Sequence, residues 1–349
     1  MGIFERHDLN STRIRQLVLS SRSELSKLLH SESFGQQVLD LVNPKATSGN
    51  RSWLAELVEA PCGADVLDYI DRDAYYCGLD HRIDSAVYRR FSVQRSQTAN
   101  PSDSHLQTQL FGRHGFRLDA DFALETVLRE RFALYLKVYS HPVKIAAGAM
   151  IGKAVWHALK YGKKPRLDER KIEWMGDNEL LTYLKSGHRT VERALAEMVL
   201  QRALWKPAFQ SRVLPPAECN DEHYDAKLRQ FERMQFLGPR NRANVEGTIA
   251  KIAGLKADEV ILYCPSKAPG LQRIRQYVAP GPKTKQVRDE VSDPHLRIRN
   301  AHIALWTVFV FIPPDKEPNI RDKVAAASEE VLGLTNQVDF HRKQLVLQI

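Results

Sequence analysis

The 349-residue sequence predicts a mainly α-helical protein, with a helical domain over residues 1–206 and a smaller α+β lobe over residues 207–349. Apolar residues recur at helical spacing through the first part, which favours helices. A strand-like run of Val, Ile and Phe, Ile303 to Ile312, lies in the second part and ends at two prolines. The chain is longer than one compact core usually needs, which favours two lobes.

The charge balance indicates polyanionic partners without choosing among them. A net charge of +9 favours triphosphates, nucleic acid or anionic surfaces. The longest apolar run is too short to span a bilayer, and the first ten residues are charged rather than signal-like. We therefore expect a cytoplasmic protein with no membrane partner. Four scattered cysteines form no C-x-x-C pair, which fits a reducing compartment: Cys62, Cys77, Cys219 and Cys264.

Helical patterns fill the first sixty residues. Apolar positions recur over Ile14 to Val18, Leu25 to Leu29, Phe34 to Leu41 and Trp53 to Val58. Residues 43–50, rich in Pro, Gly and Asn, predict a loop between the last two helices.

The next stretch, Gly63 to Gly78, concentrates aspartates between apolar residues at helical spacing. Residues four apart stack on one helix face, so Asp65, Tyr69 and Asp73 form a stripe of carboxylate, phenol and carboxylate. That stripe suits a metal ligand beside a pocket that binds a hydroxyl group. The alternative is an ordinary amphipathic helix on which the acidic residues occur in this pattern by chance.

Polar and basic residues follow. Gln94 to Gln109 predicts a loop, and Phe111 to Gly115 predicts a turn. Three histidines of this region are expected in solvent rather than as ligands: His81, His105 and His114.

Two long helices are predicted between Asp119 and Gly162, because acidic residues come early and Pro142 suits the first turn of a new helix. Arg131, Tyr135 and Tyr139, at four-residue spacing, form a second stripe on one face.

Both stripes resemble signatures of one family. The stretch D-V-L-D-Y-I-D-R-D-A-Y-Y-C-G from Asp65 resembles the D-x-x-D-Y-x-x-R-D-x-x-x-x-G signature of HD-domain phosphohydrolases. It is most similar to their deoxynucleoside triphosphate triphosphohydrolase branch, which includes the SAM-and-HD-domain enzyme and the dGTPase-like enzymes. The segment from Arg131 through Tyr139 to His141 resembles a second family signature. The resemblance covers residues 7 to about 206 and implies an HD-type helical core.

The resemblance implies roles for the matching residues. Asp65 matches the last ligand of a divalent metal ion, which would be Mg, Mn, Fe or Zn. Tyr69 and Asp73 match residues at the sugar 3′-hydroxyl. Arg131 matches a contact to the triphosphate, and Tyr139 matches a residue packed against the sugar.

Two further assignments carry alternatives. His7, in the segment H-D-L-N-S, resembles a catalytic-site histidine placed against the substrate phosphates, and an exposed histidine is the alternative. Arg131 has the alternative of a structural salt bridge to Asp68 or Asp71. We treat His141 as structural.

The sequence departs from the family in its metal ligands. The first histidine and the His-Asp pair would lie before Met1, so Asp65 alone remains, and one carboxylate does not hold such an ion. We therefore expect an N-terminally incomplete HD-type domain, which is a fragment, the product of an internal start or a subunit completed by a partner.

The second lobe mixes helices and strands. Two helices, Arg242–Ala253 and Asn319–Val331, each end at a glycine. Val260 to Cys264 predicts a strand, and Arg273 to Val278 predicts its partner. A basic segment would bind an effector nucleotide, nucleic acid or a second subunit, with a solubilising surface as the alternative: Arg273, Arg275, Lys283, Lys285, Arg288, Arg297 and Arg299.

Two functional hypotheses follow. The resemblance implies a homo-oligomeric, metal-dependent phosphohydrolase in which activated water attacks a nucleoside triphosphate, releasing deoxynucleoside and triphosphate from a dNTP. The alternative, motivated by the missing ligands, is a catalytically degenerate or truncated HD protein that serves as a nucleotide- or nucleic-acid-binding or regulatory subunit.

Overall fold

The computed structural model divides into two compact units. The amino-terminal unit comprises the described residues up to Val138, with residues 298 and 301, and the carboxy-terminal unit comprises those within 139–265 and 305–338. The predicted domain boundary at residue 206 stays a prediction. The structure describes residues 14–20, 24–29, 32–42, 52–59, 63–80, 82–94, 105–108, 111–112, 115–161, 167–172, 174–187, 190–213, 229–234, 237, 239–265, 298, 301 and 305–338.

The amino-terminal unit opens with four short helices at the predicted positions. These are α1 (residues 14–19), α2 (Glu24–Leu28), α3 (Glu32–Val42) and α4 (Ser52–Glu59). Helices α3 and α4 pack together, and α4 also packs on the helix that follows.

Helix α5 (Ala64–Tyr76) confirms the helix predicted within Gly63 to Gly78. Its apolar stripe, which includes Ile70 and Ala74, is fully buried. Because that stripe faces the core, the aspartates occupy the remaining faces. One of them, Asp71, accepts a hydrogen bond of 3.0 Å from the Ile83 amide and so ties the following loop to the helix.

Two small hairpins follow a 3₁₀ helix (Ser85–Arg90). Strand β1 (Phe91–Gln94) pairs with β2 (His105–Thr108), and β3 (Phe111–Gly112) pairs with β4 (Gly115–Phe116), both antiparallel. The loop predicted over Gln94 to Gln109 is therefore wrong at Gln94 and over His105–Thr108. Leu106 of β2 is buried where α4 packs on this strand, and this tertiary contact offsets the polar composition.

Helix α6 (Leu118–Leu134) packs on α5 and ends in a π-helical turn (Tyr135–Tyr139). Helix α7 (Pro142–Tyr161) starts at the predicted proline and belongs to the carboxy-terminal unit. Both predicted long helices are thus confirmed.

The carboxy-terminal unit continues with a mixture of helices and strands. In chain order these are α8 (Glu169–Ile172), α9 (Asp177–Lys185), α10 (Thr190–Leu200), β5 (Lys206–Arg212), α11 (residues 229–234), α12 (Pro239–Ala253), a 3₁₀ turn (Ala257–Glu259), β6 (Ile261–Tyr263), β7 (Thr307–Ile312) and α13 (Pro318–Leu332).

The three strands form one antiparallel sheet in the order β5-β7-β6. Alternate residues of the central strand enter two different cores. Val308 and Val310 pack with helices α12 and α13, and Phe309 and Phe311 pack with α7, α9 and α10. Burial on both faces explains why this strand is an unbroken apolar run.

The two helices predicted in this lobe are confirmed, and so are the two predicted strands that lie within the described residues, β6 and β7. Strand β5 was not predicted. It begins at the predicted lobe boundary and contains Pro207, but it lies at the sheet edge and has an irregular register between Pro207 and Phe209. Proline is tolerated at such a position because the missing N–H is not needed there.

A buried ion pair covers the outer edge of β6. Lys153 of α7 donates to Glu246 Oε2 of α12 over 2.9 Å, to the Ala257 carbonyl over 3.2 Å and to the Val260 carbonyl. Glu246 Oε1 accepts a 2.9 Å bond from the Leu262 amide. Side chains thus take the place of a further strand along this edge.

The opposite edge, along β5, is covered by residues that follow α13. The Gln210 amide donates to Asn336 Oδ1 over 3.1 Å, and the Arg212 amide donates to Gln337 Oε1 over 3.0 Å. The Gln337 amide returns a 2.7 Å bond to the Gln210 carbonyl. Both edges of the sheet are therefore occupied by non-strand partners.

The described part is mainly helical with a small antiparallel sheet, as predicted, while the HD-type core stays a prediction. Among the helices that the structure describes, none combines the length and apolar character needed to cross a membrane. The strand predicted over Arg273 to Val278 and the basic segment lie outside the described residues.

Candidate functional site

Helices α5 and α6 of the amino-terminal unit bring Tyr69 and Arg131 together. The Arg131 guanidinium donates a hydrogen bond to the Tyr69 phenol oxygen. The guanidinium carbon also lies 5.8 Å from the centre of the Tyr135 ring, one helical turn further along. This arginine therefore links the two stripes found in the sequence.

Buried apolar residues fix both helices at this point. Ile70, beside Tyr69 in α5, is fully buried, and so are Val127, Leu128 and Leu134 of α6. Tyr69 and Arg131 themselves are half-buried. The side chains that meet are thus held by rigid helices and remain accessible in part from solvent.

The surroundings keep the Tyr69 phenol protonated. Burial raises the pKa of Tyr69 to about 12, and the neighbouring Tyr135 and Asp65 side chains also raise it. The positive charge and hydrogen bond of Arg131 act in the opposite direction. At physiological pH the phenol is neutral, and a neutral phenol both accepts and donates hydrogen bonds.

The predicted carboxylates lie on the same helix. Asp65, in the exposed first turn of α5, is near enough to raise the pKa of Tyr69. Asp73 is half-buried, and its Oδ1 lies 3.6 Å from Arg72 Nε. Asp65 and Tyr69 are therefore brought together as the stripe predicted, and Asp73 follows one turn later.

The alternative reading of Arg131 placed it against Asp68 or Asp71. In the structure Asp68 forms an ion pair with Arg72, and Asp71 accepts the Ile83 amide. The contacts of Arg131 described above are with aromatic residues instead.

Tyr139 and His7 complete the predicted set, and His141 was expected to be structural. Tyr139 ends the π-helical turn, is half-buried and belongs to the carboxy-terminal unit, so its place beside the sugar stays a prediction. His7 lies outside the described residues. His141 Nδ1 accepts the Val143 amide over 3.3 Å at the start of α7, which agrees with a structural role.

Tyr135 is the residue that sequence reasoning did not assign to the site. It was visible in the stripe at four-residue spacing from Arg131, which is the separation at which side chains of a helix meet. Only the packing of α6 on α5 shows that this ring lies beside both Arg131 and Tyr69.

The side chains described at the predicted site do not form a set of ligands that fits a metal ion. Within the part of the chain that the structure describes, no three His, Cys, Asp or Glu side chains lie close enough to hold an ion. Asp65 alone does not supply the several ligands that a divalent ion needs.

Comparison with known proteins places the chain in a family. Residues 122–343, more than half of the chain, match the family model described as the HD associated region. The chain belongs to this family and is therefore an HD-domain-related protein. The matched region begins in α6 and runs beyond α13, whereas the signature in α5 lies before it.

Two relatives are longer than this chain. An uncharacterized protein of Methanocaldococcus jannaschii, MJ1154, is 23% identical over 302 residues, which are 84% of this chain and 58% of that protein. The uncharacterized protein YwfO of Bacillus subtilis is 25% identical over 144 residues, 40% of this chain and 29% of YwfO. The chain thus matches less than two thirds of the length of either relative.

Proposed function

We propose that this chain provides the nucleotide-binding part of an HD-class phosphohydrolase, which converts a dNTP to deoxynucleoside and triphosphate. The observation that carries the proposal is the hydrogen bond from Arg131 to Tyr69, since it joins two separate signatures in one half-buried site. Membership of the HD associated region family supports the same class of protein.

Each side chain has chemistry suited to part of a nucleotide. The Arg131 guanidinium carries N–H donors in a planar fork that matches phosphate oxygens. The neutral Tyr69 phenol and the Tyr135 ring offer a hydrogen-bonding group and a flat apolar face beside that cation. Asp73 would accept a hydrogen bond from a sugar hydroxyl, and Tyr139 would pack against the sugar.

The proposal assigns substrate binding, and no hydrolytic step, to the described residues. Metal dependence stays a prediction from the resemblance, with Asp65 as one ligand and His7 against the phosphates. The remaining ligands would come from residues that the described part of the chain does not supply.

A second candidate function follows from that donor set. A protein that binds nucleotide or nucleic acid without turnover, as a regulatory or degenerate HD subunit, needs the Arg131–Tyr69 contact but no complete metal site. Affinity that falls with salt would accompany binding of nucleic acid.

The test compares two arginines of the same helix. Arg131→Met removes the cation beside Tyr69, whereas Arg129→Met removes an exposed arginine that pairs with Glu125. We expect Arg131→Met to weaken binding of a non-hydrolysable dNTP analogue by about tenfold to a hundredfold, because a hydrogen bond to a charged group contributes about 1.5–3 kcal/mol. Arg129→Met should stay within about twofold of the wild type.

An assay of dNTP hydrolysis then distinguishes the phosphohydrolase from the nucleotide-binding protein without turnover. Release of deoxynucleoside and inorganic triphosphate in the presence of Mg²⁺ or Mn²⁺, abolished by Asp65→Asn, would establish the enzyme. Binding that depends on Arg131 without product release would establish the alternative. Equal affinity of both arginine variants for the analogue would refute the site itself.

A further inference from the structure

The carboxyl-terminal end of α7 carries a cluster of aromatic and basic side chains. The Lys160 ammonium nitrogen lies 5.3 Å from the centre of the Trp156 ring and 4.7 Å from the centre of the Tyr161 ring. The centre of the His157 ring lies 5.6 Å from that of the Tyr161 ring, and the two ring planes are inclined at 44°. We call these four residues the aromatic–basic cluster. One cation and three rings thus meet at the end of one helix.

The aromatic–basic cluster reaches solvent from a fixed helix. Tyr161 is 38% exposed, Lys160 is exposed, and the other two members are half-buried. The neighbouring side chains of Val155 and Ala158 are almost fully buried in the core of the carboxy-terminal unit. The helix therefore holds the rings in place before a ligand arrives, which lowers the entropy cost of binding.

Positive charge is concentrated in this part of the sequence. From Trp156 to Arg166 the chain has four basic residues and no acidic residue. Among the described residues, the Lys160 ammonium contacts two aromatic rings rather than a carboxylate. The contact of an exposed ammonium group with a ring is weak, so an anionic ligand can compete for this charge.

We propose that the aromatic–basic cluster binds single-stranded nucleic acid. An unpaired base would stack on the Tyr161 or Trp156 ring, and the Lys160 ammonium would pair with a neighbouring phosphate. A duplex is disfavoured, because its bases stack on one another and their faces are closed to a side chain. A polyanion without bases would pair with Lys160 but would leave the rings unused. This site is independent of the proposed dNTP-binding site, which consists of other residues.

The experiment measures the affinity of the full chain for a fluorescein-labelled oligothymidylate by fluorescence anisotropy. An abasic strand of the same length keeps the phosphates and lacks the bases. We expect the wild type to bind the oligothymidylate at least about fivefold more tightly than the abasic strand, because bases stack on aromatic side chains. Tyr161→Ser should weaken binding of the oligothymidylate by about fivefold to a hundredfold, the usual effect of losing one stacked base.

A matched control removes a tyrosine from another surface. Tyr88 is 52% exposed and lies in the amino-terminal unit. Tyr88→Ser should leave the affinity for the oligothymidylate unchanged. Thermal melting of each variant checks that the fold is intact.

The salt dependence of binding tests the lysine. Lys160→Gln should reduce the slope of the logarithm of affinity against the logarithm of salt concentration by about 0.7, the value for one phosphate contact on a single strand. Lys323→Gln removes an exposed lysine of α13 and should leave this slope unchanged.

Four outcomes would overturn the proposal. These are a wild type that does not bind the oligothymidylate, equal affinity for the oligothymidylate and the abasic strand, tighter binding of a duplex, and a Tyr161→Ser variant that binds like the wild type. Binding that is lost in Arg131→Met but kept in Tyr161→Ser would also overturn it, since the strand would then occupy the proposed dNTP-binding site. Tyr161→Ser should bind the dNTP analogue like the wild type, so that failure of one site is distinguishable from failure of the other.

Discussion

Replacing Lys153 with methionine should destabilise the carboxy-terminal unit more than removing any exposed lysine. The Lys153 side chain is 6% exposed and that of its partner Glu246 is 11% exposed. Lys153→Met leaves a buried carboxylate without its cation and takes the hydrogen-bond donor from the Ala257 and Val260 carbonyls. Breaking one side of a buried ion pair costs about 3–5 kcal/mol, and we expect a loss in that range.

The double variant Lys153→Met/Glu246→Leu separates the charge from the hydrogen bonds. An apolar pair of similar volume removes the unpaired carboxylate, and such replacements are often neutral or stabilising. Here the Val260 carbonyl and Leu262 amide at the edge of β6 would still lose their partners, at about 1–3 kcal/mol each. The double variant should therefore be more stable than Lys153→Met and less stable than the wild type.

Urea denaturation measures the loss of stability in each variant, and hydrogen exchange at the Leu262 amide reports the lost hydrogen bonds at the edge of β6. Lys316→Met is the control, because the Lys316–Glu259 pair also joins this region but its side chains are 22% and 26% exposed. A pair with such access to water contributes about 0–1 kcal/mol. If Lys153→Met and Lys316→Met lowered the stability equally, the assignment of the buried pair as the support of β6 would be wrong.

Three further predictions concern single residues. In a pH titration up to about pH 11, Tyr69→Phe should show the same tyrosinate absorbance as the wild type. The Tyr69 pKa of about 12 keeps this phenol protonated as the pH rises past the ordinary value of 10.0. One fewer ionised tyrosine in the variant would contradict this. Gly333→Ala should lower the free energy of unfolding by about 2 kcal/mol and Gly254→Ala by about 1 kcal/mol, as measured by thermal unfolding. Both glycines have positive φ, but of the two only the new Cβ at position 333 would meet a side chain, that of Gln230 at 3.0 Å. Equal losses would show that this contact relaxes. Asp71→Ala should cost about 1–3 kcal/mol and speed hydrogen exchange at Ile83, whose amide loses its acceptor, and unchanged exchange there would refute the link.

Much of the fold was accessible from local patterns. The helix within Gly63 to Gly78, the break before Pro142 and the helices that end at glycine were predicted because spacing, proline and glycine act on the nearest few residues. The strand ending at Ile312 was predicted because burial on both faces leaves an unbroken apolar run.

The elements that were missed depend on distant partners. Strand β5 contains Pro207 and polar residues, yet it pairs with β7 about a hundred residues later and is covered by residues 336 and 337. Strand β2 is polar, yet it pairs with β1 and is packed by α4. Short polar segments become strands when the rest of the fold offers hydrogen-bond partners, and this information is absent from their own composition.

The candidate site shows the same division. Residues that share a helix face could be predicted from the sequence, since helical periodicity places Asp65 with Tyr69 and Arg131 with Tyr135. Helix packing was needed to show that Arg131 donates to Tyr69, that the Tyr135 ring lies near the same phenol, and that Asp68 and Asp71 have other partners. The physical reason is that periodicity fixes directions around one helix axis, whereas the packing of α5 on α6 fixes which faces meet.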